Sequence, residues 1–273
     1  MVSRLIILTN ASFHPPGIVS WPFILWTSFN SILLRMTSLQ NILFLDIETV
    51  SQYSTYEELP EPWKDLWTKK AEILLRNKED QRPDTIYERA SIYAEFGKVI
   101  CISCGIITGI GPTKKMIIKS FAGDDEKELL SSFCDMLTKW AGDHPKYLCA
   151  HNGKEFDFPY LCRRMIILDI CIPSLLSISG KKPWEVGHID TMEMWKFGDY
   201  KSYTSLNLLA TVLGVPTPKD DIDGSMVGHV YWKSNDLQRI VTYCQKDVIT
   251  LIQIYLRMTR EPLILPENIE IKN

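Results

Sequence analysis

The sequence lacks several features that would assign it directly to a class of protein. Its 273 residues contain no internal repeat and no low-complexity tract, and no segment supplies the run of about twenty apolar residues that a membrane-spanning helix needs. Positive charge is not in excess, because 30 lysines and arginines stand against 33 acidic residues, a net charge of −3. A general nucleic-acid binder with a basic surface is therefore not indicated. The 45% apolar content fits one globular domain with a substantial core.

The seven cysteines form no disulfide framework, and their odd number leaves at least one of them unpaired. We therefore predict a reducing compartment, the cytoplasm, and no stable membrane association. Cys101 and Cys104 have the spacing of a zinc or redox pair, but they lie in a strand-like run. Because positions three apart on a strand face opposite sides, we expect both thiols to serve packing.

The first forty residues differ from the rest of the chain. They are apolar and free of acid, and Pro15, Pro16 and Pro22 fit no regular element. We expect residues 1–40 to be an extension outside the core, with Met36 as the natural start of translation. A targeting or membrane-associated segment is the alternative. Residues 41–260 are predicted to form the main domain, with a helical insertion at about 56–95, and residues 261–273 a C-terminal tail.

The insertion carries two tryptophans on one helix face. Trp63 and Trp67 stand four residues apart, so both point in the same direction. We expect them to anchor the insertion to the core. The alternative is that one of them stacks on bases, since aromatic stacking tolerates any base sequence.

Two acids end an apolar, strand-like run at 41–50. Asp46 and Glu48 are two residues apart and therefore point to the same face of a strand. Buried together, two carboxylates repel each other and lose hydration, and a divalent cation bound between them relieves both costs. Oxygen ligands of this kind favour Mg²⁺ or Mn²⁺.

Two later segments place polar groups at the ends of predicted elements. A short strand ends near His151, a turn contains Asn152, and a helix begins at about Phe156 and carries Asp157. Further on, Tyr243 and Asp247 share one face of an amphipathic helix because they are four residues apart. Each motif alone has an ordinary explanation, such as a cap, a turn or packing. We interpret His151 as a turn residue rather than a metal ligand.

In this order and spacing, the three motifs resemble those of the DEDD superfamily of 3'-5' exonucleases, over roughly 41–256. The tyrosine branch is indicated, because Tyr243 stands four residues before Asp247 and the position that the histidine branch uses is Thr242. Residues 188–197 and 205–224 also resemble the corresponding part of the proofreading domain of family B DNA polymerases.

The resemblance implies a fold and a reaction. The fold is α/β and ribonuclease H-like, with a mixed sheet of about five strands flanked by helices. The reaction is hydrolysis of the terminal phosphodiester at the 3' end of single-stranded DNA with two Mg²⁺ or Mn²⁺ ions. In the family, the ligands of these ions match Asp46, Glu48, Asp157 and Asp247.

The resemblance also implies roles for four other residues. Tyr243 would orient the attacking water, because a phenol with a pKa near 10 is a poor base at neutral pH. Thr49, Asn152 and Phe156 match the residues that touch the terminal nucleotides.

Three alternatives to a DNA exonuclease remain open. A 3'-5' exoribonuclease of the ribonuclease D kind shares the tyrosine branch, and RNA discrimination depends on how the pocket treats the 2'-hydroxyl. A nucleic-acid-binding module without catalysis is disfavoured by the complete set of carboxylates. Because no polymerase domain follows Asn273, a subunit that works with a separate polymerase or helicase is also compatible. Two basic pairs, Arg163-Arg164 and Lys181-Lys182, would face either phosphate or solvent.

Overall fold

The computed structural model of the chain describes residues 38–76, 81–199, 203–217 and 222–272. Nearly all of the predicted extension at 1–40 lies outside these ranges, so its start site and role stay predictions. None of the described helices is long and apolar enough to cross a membrane.

Six strands form one mixed sheet. They are β1 (Ile42–Ser51), β2 (Gly97–Thr108), β3 (Lys115–Ala122), β4 (Tyr147–Ala150), β5 (Ile189–Asp190) and β6 (Ile269–Lys272). Their order is β5-β4-β1-β2-β3-β6. β1, β2 and β3 pair antiparallel, whereas β4 and β5 lie parallel to β1 and β6 lies parallel to β3. The ribonuclease H-like fold is thereby confirmed.

Seven α-helices flank the sheet in the described residues. They are α1 (Glu61–Leu74), α2 (Glu126–Ala141), α3 (Asp157–Ile167), α4 (Thr191–Lys196), α5 (Leu206–Val212), α6 (Val227–Trp232) and α7 (Leu237–Met258). Short 3₁₀ helices occupy Leu39–Asn41, Tyr87–Ile92, Gly111–Thr113, Ser174–Leu176, Pro183–Glu185 and Pro266–Asn268. The side chains of Asp125 and Asp236 accept hydrogen bonds from backbone N–H groups in the first turns of α2 and α7, which fixes where both helices begin.

The sixth strand was not predicted from the sequence. β6 has only four residues and lies at the sheet edge, where all but Ile269 are exposed. So short an alternation carries little signal before its partner, β3, is known.

The core lies on both faces of β1 and β2. One cluster includes Leu45, Ile47 and Ile102 and packs under α2 and α3; a second includes Val50 and Cys101 and packs under α6 and α7. Burial on both faces explains why β1 reads as an almost continuous apolar run.

A glycine brings α7 close to the sheet. A Cβ added at Gly105 would lie 2.6 Å from Ile252 Cδ1 and 2.9 Å from Val248 Cγ1. Because only glycine leaves this space free, the long helix α7 can pack directly on β2. Its side chains then reach the middle of β1, where Asp46 lies.

The two tryptophans pack in a cluster formed mainly by the insertion itself, which includes Phe96 just before β2, and the packing role of the two cysteines is confirmed. Trp67 is fully buried in the insertion and donates from its indole nitrogen to the carbonyl of Pro83 at 2.8 Å, and Trp63 packs edge-on against Phe96. Cys104 belongs to the cluster under α2 and α3, whereas Cys101 belongs to the opposite one. The two thiols therefore face opposite sides of β2 and cannot share a zinc ion.

A buried ion pair joins α3 to the start of α2. Arg164 donates to both carboxylate oxygens of Glu126, at 2.8 and 2.5 Å, and to the carbonyl of Ala94 at 2.8 Å. Glu126 also accepts from the backbone N–H of Val99 at 2.8 Å. The guanidinium is only 2% exposed. Arg164 therefore cannot contact a phosphate, and the alternative in which both residues of the 163–164 pair do so is wrong.

We expect Arg164→Met to lower the free energy of unfolding by about 3–5 kcal/mol, because it leaves the Glu126 carboxylate buried without its partner. Urea denaturation would measure the change. Arg163→Met is the matched control: Arg163 is its exposed neighbour on the same helix, and we expect a change within about 0.5 kcal/mol. Similar losses in both variants would contradict the structural role of the ion pair.

Candidate active site

The site is built in the middle of β1, just before a bulge in the strand. Ile47 packs into the cluster under α2 and α3, so the side chains of its neighbours Asp46 and Glu48 lie on the opposite face, toward α7. The pairing with β2 shifts register between Glu48 and Thr49. Asp46 remains partly accessible, whereas Glu48 is buried. As predicted, the two acids share one face of the strand.

Asp157 approaches from the start of α3. It is the first residue of that helix and only 4% of its surface is exposed. Its carboxylate accepts a hydrogen bond from the backbone N–H of Ile47, between the two acids of β1. The positive end of the helix dipole also favours a negative charge at this position.

Tyr243 and Asp247 approach from α7. The Tyr243 phenol donates a hydrogen bond to the Asp247 carboxylate, as the four-residue spacing allows. Burial raises the pKa of Tyr243, and the charges of Asp247, Glu48 and Asp46 raise it further. The phenol therefore keeps its proton at neutral pH.

The carboxylates destabilise one another. Burial raises the pKa of Asp46 well above its usual value, and the nearby Asp247 and Asp157 add to the increase. Burial likewise raises the pKa of Glu48 well above its usual value, and the charges of Asp46 and Asp247 raise it further. Burial also raises the pKa of Asp157 to about 7, with a contribution from Asp190. Burial is thus the largest cause of all three shifts, and neighbouring acids add to it.

A pocket of about 870 Å³ opens above these groups. Three of the five predicted catalytic residues, Asp46, Tyr243 and Asp247, line it, while Glu48 and Asp157 lie buried beside it. We call this space the catalytic pocket. Its other lining residues are His151, Tyr203, Ser205, Leu206, Asn207, Thr217, Ile222, Asp223, Gly224, Met226 and Thr250.

The residues fit a divalent cation. Ligand atoms of Asp46, Glu48 and Cys244 lie within 4.8 Å of one another. The raised pKa values have the cause that a bound cation removes, namely buried negative charge without a partner. The Cys244 thiol contacts a carboxylate oxygen of Asp46 at 3.4 Å.

The predicted nucleotide-contacting residues lie around the carboxylates but outside the lining of the catalytic pocket. The Thr49 side chain hydrogen-bonds the Tyr160 phenol. Asn152 adopts a left-handed conformation with φ of 65°. Phe156 immediately precedes α3, with its ring 5.3 Å from that of Tyr160. These contacts test no substrate role, which stays a prediction for all three residues.

His151 is held by protein contacts on both ring nitrogens. Nδ1 lies 2.9 Å from the Thr191 hydroxyl, and Nε2 lies 2.7 Å from the Thr204 carbonyl. Burial lowers the pKa of the imidazole. These contacts support a structural turn residue, although the ring does line the catalytic pocket.

Two residues of the site were not singled out from the sequence. Asp190 accepts hydrogen bonds from the backbone N–H groups of Asn152 at 3.0 Å and Lys154 at 3.1 Å, and it also caps α4. Its position between a strand and a helix was a capping signal. Cys244 precedes Asp247 by three residues on α7, so helical spacing places it on nearly the same face. No sequence pattern indicated that its thiol would reach Asp46.

Comparison with known proteins assigns the chain to a family. Residues 92–263, more than half of the chain, match a family described as a predicted 3'-5' exonuclease related to the exonuclease domain of PolB. The chain belongs to this family. The matched residues include Asp157, Tyr243 and Asp247, whereas Asp46 and Glu48 precede them.

A solved structure is also similar. It is a family B DNA polymerase from the hyperthermophilic archaeon Pyrobaculum calidifontis, with 17% sequence identity and a TM-score of 0.43. The similarity covers 79% of this chain and 24% of the polymerase, so the chain spans about a quarter of that protein. No curated protein matches this chain in sequence.

We expect Asp157→Asn to raise the free energy of unfolding at pH 8 by about 1–4 kcal/mol in the presence of a chelator. A carboxyl whose pKa rises from 3.8 to about 7 on folding makes the native state lose stability as pH increases between those values. The amide removes this cost, and its oxygen can still accept the hydrogen bond from Ile47.

Urea denaturation at pH 4 and pH 8 would test this prediction. The wild-type protein should lose stability between the two pH values, and Asp157→Asn should lose less. An equal dependence on pH in both proteins would contradict the assignment of a raised pKa to Asp157.

Proposed function

We propose that the protein is a metal-dependent 3'-5' exonuclease that removes nucleotides from the 3' end of single-stranded DNA. The observation that carries the proposal is the convergence of four carboxylates and a protonated tyrosine from β1, α3 and α7 beside one pocket. Membership of a predicted 3'-5' exonuclease family supports it independently.

The carboxylates would hold two Mg²⁺ or Mn²⁺ ions. Asp46, the partly accessible acid between Asp157 and Asp247, would bind both ions; Glu48 and Asp247 would complete one site, and Asp157 would help to hold the other. When bound, the ions stabilise the attacking and leaving oxygens of an in-line displacement. An all-carboxylate set suits these hard cations.

Tyr243 would position the attacking water rather than deprotonate it. Its phenol keeps its proton and is already directed by the hydrogen bond to Asp247. The phenol oxygen can accept a hydrogen bond from water while its own O–H group stays hydrogen-bonded to Asp247. Thr49, Asn152 and Phe156 would contact the terminal nucleotides beside the carboxylates.

We expect Asp46→Ala to abolish hydrolysis while the fold stays intact, because the change removes a metal ligand and relieves carboxylate repulsion. The assay would follow 5'-labelled single-stranded DNA and matched RNA with Mg²⁺, Mn²⁺ or a chelator. A metal-dependent ladder that shortens from the 3' end would support the proposal and identify the preferred polymer. Asp135→Ala, an exposed acid on α2, is the control. Unchanged turnover in Asp46→Ala would refute the site.

We expect Tyr243→Phe to lower kcat by about 10²-fold and to leave the affinity for Mn²⁺ unchanged, because the phenol acts on water and not on the ion. Steady-state kinetics and calorimetric titration of Mn²⁺ would measure the two quantities. Tyr203→Phe, which removes another hydroxyl from the lining of the same pocket, should change neither. A parallel loss of metal affinity would make Tyr243 a structural residue.

A further inference from the structure

A second pocket lies beside the catalytic pocket, and its charged side chains are mostly basic rather than acidic. It has a volume of about 390 Å³, within the range typical of small-molecule sites. We call it the Arg89 pocket, after the arginine that the 3₁₀ helix Tyr87–Ile92 contributes to it. Gly224 lines both pockets, and Thr49, which also lines the Arg89 pocket, directly follows Glu48. The two spaces are therefore neighbours.

Basic side chains from two separate parts of the chain line the Arg89 pocket. Arg89 comes from the helical insertion, whereas His229 and Lys233 come from α6 and the residue that follows it. His229 and Lys233 are four residues apart, so both lie on the same side of the helix. None of the three forms an ion pair within the described ranges. Glu88 is the one acid in the lining, which leaves a net positive pocket in a chain of net charge −3.

Neutral polar groups complete the lining. Thr49, Ser51, Ser91 and Ser225 contribute hydroxyl groups, but these already hydrogen-bond to the protein, for example Ser51 to the carbonyl of Tyr53 and Ser225 to the Asp223 carboxylate. Trp232 also lines the pocket, and its buried indole N–H has no acceptor in the described part of the chain. The cationic side chains and the unsatisfied N–H together suit a ligand that is anionic and rich in acceptor oxygens. A phosphate group has that chemistry.

We propose that the Arg89 pocket is a phosphate subsite, which holds a nucleotide phosphate next to the catalytic pocket. The nature of the ligand rests on the proposed function, because a nucleic-acid strand in the catalytic pocket brings phosphates to its neighbour. The phosphate would belong either to the strand itself or to the released mononucleotide. Arg89 and Lys233 supply the charge, and the Trp232 indole N–H supplies a directed hydrogen bond.

The test compares two double variants of equal net charge. Arg89→Ala with Lys233→Ala removes two cations from the pocket, and Lys127→Ala with Arg257→Ala removes two exposed cations from α2 and α7 outside it. Both are made in the full chain carrying Asp46→Ala and measured with a chelator, so that the strand is not degraded. Circular dichroism would show that all variants are folded.

The first measurement is the affinity for a 5'-labelled single-stranded DNA oligonucleotide, by fluorescence anisotropy at several salt concentrations. We expect the pocket variant to bind about tenfold more weakly than the control, with a salt slope lower by about one for each lost phosphate contact. The second measurement is competition by deoxyadenosine monophosphate.

The two arms identify the source of the phosphate. If the pocket variant binds the oligonucleotide more weakly than the control, the subsite belongs to the strand. If only competition by the mononucleotide is weaker in the pocket variant, the subsite belongs to the released product. Equal affinities of both double variants for both ligands would overturn the proposal. Failure of the parent Asp46→Ala chain to bind either ligand would overturn it as well. The proposed function fails separately, if the wild-type chain with metal binds the strand but does not hydrolyse it.

Discussion

The structure depends on keeping several carboxylates close together in a place where water solvates them poorly. Asp46, Glu48 and Asp157 all have raised pKa values with burial as the largest cause. Such an arrangement costs folding free energy, so the surrounding elements must hold it in place. β1 does so by being buried on both faces, and α3 does so through its dipole and the backbone N–H of Ile47. The scaffold therefore supports the acids by packing and by hydrogen bonds where the charge repulsion is largest.

Contacts between segments that are distant in sequence hold the other site residues in place. Gly105 lets α7 pack closely enough on β2 for Cys244 to touch Asp46. Asp190 binds the backbone of the turn that contains Asn152, and this turn leads into α3 and Asp157. A change in any of these supporting residues would therefore move a carboxylate without removing it. The 22 residues of α7 make it a long, stiff support for Tyr243 and Asp247.

The parts of the site that could be predicted from the sequence are those with a local pattern. The two-residue spacing of Asp46 and Glu48 and the four-residue spacing of Tyr243 and Asp247 define a face once the element is known. Cys244 and the Arg89 pocket have no such pattern, because their partners lie on other elements, and the capping signal of Asp190 does not indicate its bonds to the turn that contains Asn152. β6 was not predicted for the same reason, because its pairing with β3 is a tertiary contact at an exposed edge of the sheet. Arg164 resembled a surface cation, since sequence does not show that Glu126 lies opposite.

An excess of acid across the whole chain does not conflict with a polyanionic substrate, because the location of charge matters more than its sum. One arginine is used internally, by Glu126, and the carboxylate cluster itself would repel a phosphate in the absence of metal. In the proposed function, cations in the cluster reverse that local sign, while Arg89 and Lys233 offer positive charge a short distance away. Attraction is then confined to a small region, and screening by salt limits its reach to about 10 Å. A protein built in this way gains little from gripping a long strand, which favours recognition of one end over binding along its length.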